Sequence, residues 1–114
     1  QWLMFHSSSV GPVMGQRVYF ELFTADKNPD AIARYRRLTD EALATLDSRL
    51  AKHPYLAGDE YSIADIAQFG WSHIARVIDF DFSAHQHLSS WYQRVAARPP
   101  VQRGIALPAP ATGA

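Results

Sequence analysis

Cysteine is absent from this chain of 114 residues, and its absence removes three chemistries at once: a disulfide framework, a thiolate metal site and a cysteine nucleophile. The lack agrees with a reducing compartment, and the cytoplasm is the expected location. A surplus of charge is missing too, since eleven Lys and Arg balance eleven Asp and Glu. A balanced chain has no electrostatic footprint for nucleic acid or an anionic membrane surface, so neither is expected as a partner. No apolar run approaches the roughly 20 residues that cross a bilayer, and Gln1-Trp2-Leu3-Met4 lacks the basic region of a signal peptide. What is present, 47% hydrophobic residues in a chain of this length, suffices for one domain around one core.

The apolar spacing is helical almost throughout. Trp2, Leu3, Val10, Val13, Met14, Val18 and Leu22 fit a helix interrupted by Gly11-Pro12, which predicts either a kinked helix or two short ones. Ser7-Ser8-Ser9 ahead of the proline either satisfies freed carbonyls or marks an exposed bend. Asn28-Pro29 is a helix start, with a capping side chain followed by a residue whose missing N–H is no loss. Ile32, Tyr35, Leu38, Ala42, Leu43, Leu46 and Leu50 then recur at three- and four-residue steps until His53-Pro54, with Arg36, Arg37, Asp40, Glu41 and Asp47 elsewhere on the surface. A fourth helix is predicted from Ser83 to Ala97, and a single turn from Pro100 to Gly104.

The most informative stretch is Tyr61-Ser62-Ile63-Ala64-Asp65-Ile66. Ser62 is placed to accept from the backbone of Asp65 while the Asp65 carboxylate reaches back to the N–H of Ser62, and Tyr61 and Ile66 stand at the two positions of a hydrophobic staple. This makes Asp65 a structural carboxylate rather than a catalytic one, and its loss should cost about 1 kcal/mol. From Ile63 to Ile78 only Asp65 and Arg76 are charged, so this helix is expected to run through the middle of the protein. Mid-helix Gly70 suggests close approach of another backbone. His85-Gln86-His87, with Asp79 and Asp81 nearby, does not read as a metal site, because residues two apart on a helix face different ways. His73 reads as a hydrogen-bonded histidine rather than a base. The expected fold is an all-α bundle.

These residues resemble the C-terminal helical domain of cytosolic glutathione transferases. The Ser62-to-Asp65 box with its Tyr61 and Ile66 staple looks like that domain's folding motif, and Trp91-Tyr92-Gln93-Arg94 through Arg98-Pro99 looks like its following helix. The start, Gln1 to Phe5 with Gly11-Pro12-Val13-Met14-Gly15-Gln16, is similar to the bacterial nu-class branch, whose members act on glutathione and disulfides.

The resemblance implies a domain over residues 1–107, and the tail over 108–114, which has no periodicity, is expected to be flexible. It also implies a thioredoxin-like N-terminal domain outside this chain, which would bind glutathione and supply the catalytic residue. Gln1 and the apolar pattern already running at Trp2 likewise suggest a piece of something longer. The chain's own share would be the electrophile pocket and part of a homodimer surface, for glutathione conjugation or glutathione-dependent disulfide reduction. Arg34, within Ala31-Ile32-Ala33-Arg34-Tyr35, would hold the carboxylates of glutathione. Phe5 and His6 would line the pocket for a hydrophobic electrophile or disulfide. Glutathione enters as a substrate, and no metal is implied. Alone, the chain is expected to be inactive and to expose an apolar face. A non-catalytic helical interaction module is the alternative reading.

Overall fold

The computed structural model describes residues 1–78 and 80–108, apart from the side chain of Val77. Asp79 and the tail from Ala109 onward lie outside the described residues. Helical segments Trp2–Phe5, His6–Val10, Gly11–Val18 and Tyr19–Phe23 follow one another without a break and form α1. Then come α2 (Pro29–Leu50), α3 (Ile63–Val77), α4 (Gln86–Ala96) and α5 (Pro99–Ile105), with no strand among the described residues.

The first helix is not split into two. The segment His6–Val10 is a π-helical turn, closed by the Gly11 N–H on the carbonyl of His6, so the chain widens just before Pro12 instead of breaking. Ser7 Oγ donates to the Leu3 carbonyl at 3.2 Å, so one serine of the triplet serves the backbone rather than marking a bend. α2 begins as its residues dictate: the Asn28 side chain accepts from the Ala31 N–H at 3.1 Å, and Pro29 follows. α4 begins three residues later than its pattern suggests. The Asp81 carboxylate takes both the N–H and the hydroxyl of Ser83 at 2.8 Å, which holds that residue in a turn. α5 is longer than the expected single turn.

The core joins Val10 and Met14 of α1, Leu43 and Leu46 of α2, and Leu88, Trp91 and Val95 of α4. Leu56, in the connector before α3, is fully buried among them. Two carboxylates bind these parts together. Asp65 is completely buried; its Oδ1 accepts from the Leu56 N–H at 3.1 Å and the Trp91 indole at 2.7 Å, while Oδ2 accepts from the Ser62 N–H at 3.0 Å. The expected capping box is closed on both sides, but its carboxylate also links the connector and α4. Asp47, expected on the solvated surface, is half-buried and accepts from the Leu88 N–H at 2.8 Å. It thereby caps α4, whose own capping residue His85 makes no side-chain bond.

The expectation of a central α3 needs correcting. Its inward face carries Asp65, Gln68 and Ser72, each at most 1% exposed, beside Ala64, Phe69 and Ala75. The aliphatic face turns outward, with Ile63 66%, Ile66 57% and Ile74 39% exposed. Gly70 lies on that outward face, where a Cβ would have nothing within 4 Å, so no other backbone among the described residues approaches it. Both faces are nearly free of charge, and periodicity alone does not say which one meets its own chain.

Candidate functional site

Arg34 projects from the first half of α2, where its neighbours on the helix are already engaged. Arg36 pairs with Glu21, which also lies 3.4 Å from Arg17 Nε, and Arg37 pairs with Glu41 at 2.9 Å. Arg34 is exposed and has no ion pair or side-chain hydrogen bond among the described residues. Its guanidinium fork is open to an anion from outside the chain.

Phe5 is half-buried, edge-on to Trp2 at 5.6 Å between ring centres. It lines an open groove of about 330 Å³ between α1 and α2, with Ser8, Val13, Leu38, Ala42 and Thr45. Arg34 lies one turn ahead of Leu38 but is not in that wall. His6 is half-buried beside Phe5, and its Nδ1 is sealed from solvent without a partner. The three residues singled out by resemblance therefore do not surround one cavity of this chain. They lie along the same pair of helices.

A second groove, of about 350 Å³ and mostly apolar, runs between α3 and α5. Tyr61, Ile66, Phe69, Gly70, Val101 and Ile105 line it. Tyr61 and Ile66, the two staple residues, thus share one wall, and the guanidinium of Arg98 sits 3.8 Å over the Tyr61 ring. This groove continues the outward aliphatic stripe of α3.

Three other titratable groups make contacts within the bundle. His73 Nδ1 lies 2.9 Å from the Tyr92 hydroxyl and stacks on Phe69, a hydrogen-bonded position rather than a free base. Arg17 lies 4.2 Å over the Phe80 ring, and burial pushes its pKa below the usual guanidinium value, against the nearby charge of Glu21. The Asp81 carboxyl is held below its ordinary range by the Ser83 backbone and hydroxyl donors. No group of three or more metal-ligating side chains occurs among the described residues; His85 precedes α4 and His87 is exposed on it.

Sequence reasoning missed Asp47 and Leu56. Asp47 sits on α2 at a position indistinguishable from a solvated charge, and its partner is 41 residues away. Leu56 is a lone aliphatic in a connector, with no periodicity to mark it.

A family model described as glutathione S-transferase, C-terminal domain, matches residues 11–99. Among curated proteins, the chain is similar to glutathione S-transferase-like protein tpcF of Aspergillus fumigatus, at 33% identity over 119 residues, 93% of this chain and 53% of that protein. It is similar to disulfide-bond oxidoreductase YfcG of Escherichia coli at 33% identity over 99 residues, 87% of this chain and 46% of that protein. Among solved structures, a Burkholderia graminis glutathione transferase with two glutathione molecules bound per subunit superposes with a TM-score of 0.87. That pair is 29% identical, over 97% of this chain and 49% of the other. The chain spans about half the length of these relatives.

Proposed function

Because this chain belongs to the glutathione S-transferase C-terminal domain family, we propose that residues 1–107 are the helical half of a glutathione-dependent enzyme. The other half is a thioredoxin-like N-terminal domain. The single observation that carries the reading is α3, which buries Asp65, Gln68 and Ser72 and leaves Ile63, Ile66 and Ile74 outside. A helix that hides its polar face and shows its aliphatic one is built for a further apolar partner. The matched relatives are about twice as long, which leaves a whole domain to supply it.

The whole enzyme would join the glutathione thiolate to a hydrophobic electrophile or use it to reduce a disulfide, since the thiolate is the reactive form. Relatives named as a transferase-like protein and as a disulfide-bond oxidoreductase support both chemistries and favour an enzyme over a non-catalytic interaction module. In this reading Arg34 holds a glutathione carboxylate, its open guanidinium being suited to a bidentate bond. Phe5 and His6 contribute to the second-substrate pocket. The protein works as a homodimer in the cytoplasm, with no metal.

The test uses the full-length protein. Glutathione-dependent turnover of an electrophile or a disulfide is expected, and Arg34→Ala should weaken glutathione binding about tenfold or more, as for a lost charge-assisted bond. Absence of both activities in a folded full-length protein would refute the reading. An unchanged glutathione affinity in Arg34→Ala would remove that residue alone.

A further inference from the structure

We propose that the cavity between the second half of α1, the middle of α2 and the stretch joining α3 to α4 binds a small zwitterion, a free α-amino acid with a neutral side chain. The inference goes beyond the enzymatic reading above and does not depend on it. The cavity holds about 380 Å³ and is lined by Arg17, Asp40, Phe80, Asp81, Ala84 and His85. Four of these six side chains can carry charge, and they come from three separate parts of the chain. Neither groove described above gathers both signs of charge around one space.

Arg17 is a cation whose donors are not used up. Its side chain is 12% exposed, and its Nε and Nη1 are sealed from solvent with no hydrogen-bond partner among the described residues. Glu21 lies 3.4 Å from Nε but is held more closely by Arg36. Nη2 is not among the sealed atoms, so it is the donor left to meet a ligand in the cavity. The guanidinium rests 4.2 Å over the Phe80 ring, which keeps it in place. A buried charge with unmade hydrogen bonds is costly, and an incoming carboxylate would recover part of that cost.

Asp40 faces this cation without closing on it. Burial is the main influence on the Arg17 guanidinium, and the charges of Glu21 and Asp40 act against it, so Asp40 is near enough to be felt. Yet Arg17 and Asp40 form no ion pair among the described residues. Two opposite charges on neighbouring helices are thus held apart across the cavity. Asp81, fixed by the Ser83 donors, adds a second carboxylate to the lining. A bare anion would meet two carboxylates there, and a bare cation would meet Arg17. A molecule that carries both charges a few bonds apart puts its carboxylate on Arg17 and its ammonium on Asp40 and Asp81. The imidazole of His85 can donate to the one or accept from the other. Phe80 and Ala84 supply the apolar part of the lining for a neutral side chain.

The test titrates the full-length protein, free of glutathione, with L-leucine, N-acetyl-L-leucine and L-leucinamide, followed by NMR of the Arg17 Nε–H and of the Asp81 and Ser83 amides. Leucine should bind with a Kd of about 1 mM or below. N-acetyl-leucine lacks the ammonium charge and leucinamide lacks the carboxylate, so each should bind at least about tenfold more weakly. Asp40→Asn alters an exposed side chain and should weaken leucine about fivefold while strengthening N-acetyl-leucine, because one repelling carboxylate is gone. General loosening of the fold would not give that reversal. Arg17→Gln should remove leucine binding. The inference is overturned if leucine at about twenty times the expected Kd moves none of these signals, if the three compounds bind alike, or if Asp40→Asn leaves both affinities unchanged. No step of the test uses glutathione, so its outcome is separate from that of the enzymatic reading.

Discussion

Replacing Asp65 by alanine should destabilise the protein by about 3 kcal/mol, well beyond the roughly 1 kcal/mol of a lost helix cap. The carboxylate serves four donors: the Leu56 N–H, the Trp91 indole, the Ser62 N–H and, at 3.5 Å, the Ser62 hydroxyl. The first two bonds are buried, and a buried donor stripped of its acceptor costs about 1–3 kcal/mol. Against this stands the relief of no longer burying a charged group, which is of the order of several kcal/mol and keeps the net loss below the full sum. Asp65→Asn should recover little, because its amide turns an N–H toward either Ser62 or the Leu56 and Trp91 pair. Urea unfolding followed by tryptophan fluorescence measures the effect, and at an m-value of about 2 kcal/mol/M the midpoint should fall by about 1.5 M. A double-mutant cycle with Trp91→Phe should give a coupling above about 1 kcal/mol. A loss of about 1 kcal/mol or less, additive with Trp91→Phe, would show that the carboxylate is a cap and nothing more.

Three further outcomes follow from the same contacts. Asp47→Ala should cost about 1 kcal/mol and raise amide exchange in the first turn of α4, while Asp47→Asn keeps an acceptor and should cost less; equal exchange in all three proteins would exclude the cross-chain cap. Because folding depresses the Asp81 pKa, its contribution to stability is present above the unfolded carboxyl value of 3.8 and is lost as pH falls below it. Ser83→Ala removes the hydroxyl donor and keeps the backbone one, so it should raise that pKa in part in an NMR titration, and an unchanged curve would show that the hydroxyl bond contributes nothing. Finally, Ile63→Lys with Ile66→Lys should reduce self-association of residues 1–107 prepared alone, as read by sedimentation, whereas in the full-length protein the same pair should lower the thermal midpoint. If neither quantity changed, the outward stripe would have no partner to meet.

The features legible in the sequence were those whose cause is local. Asn28-Pro29 and the Ser62-to-Asp65 box each lie within one helical turn, so residue type and spacing define them. The wide turn at His6–Val10 has no such mark: serines and a glycine-proline pair suit a kink, two helices or a π-turn alike. The orientation of α3 was hidden for a different reason. Ile63, Ile66 and Ile74 are as apolar as a core requires, and a sequence does not say whether the core belongs to the same stretch of chain. The candidate site was legible only through resemblance. Arg34 looked like any surface arginine, and what distinguishes it in three dimensions is that Glu21 and Glu41 are taken by Arg17, Arg36 and Arg37.

The bond from Asp47 to Leu88 gives α4 a beginning that it does not own. Its first turn is closed by a group 41 positions earlier, so the segment depends on a helix already standing beside it. During synthesis that order is favourable, since the acceptor leaves the ribosome first and waits for its donor. The dependence also works in reverse: a nick or truncation that removed α2 would unwind residues far from the cut, with every residue of α4 still in place.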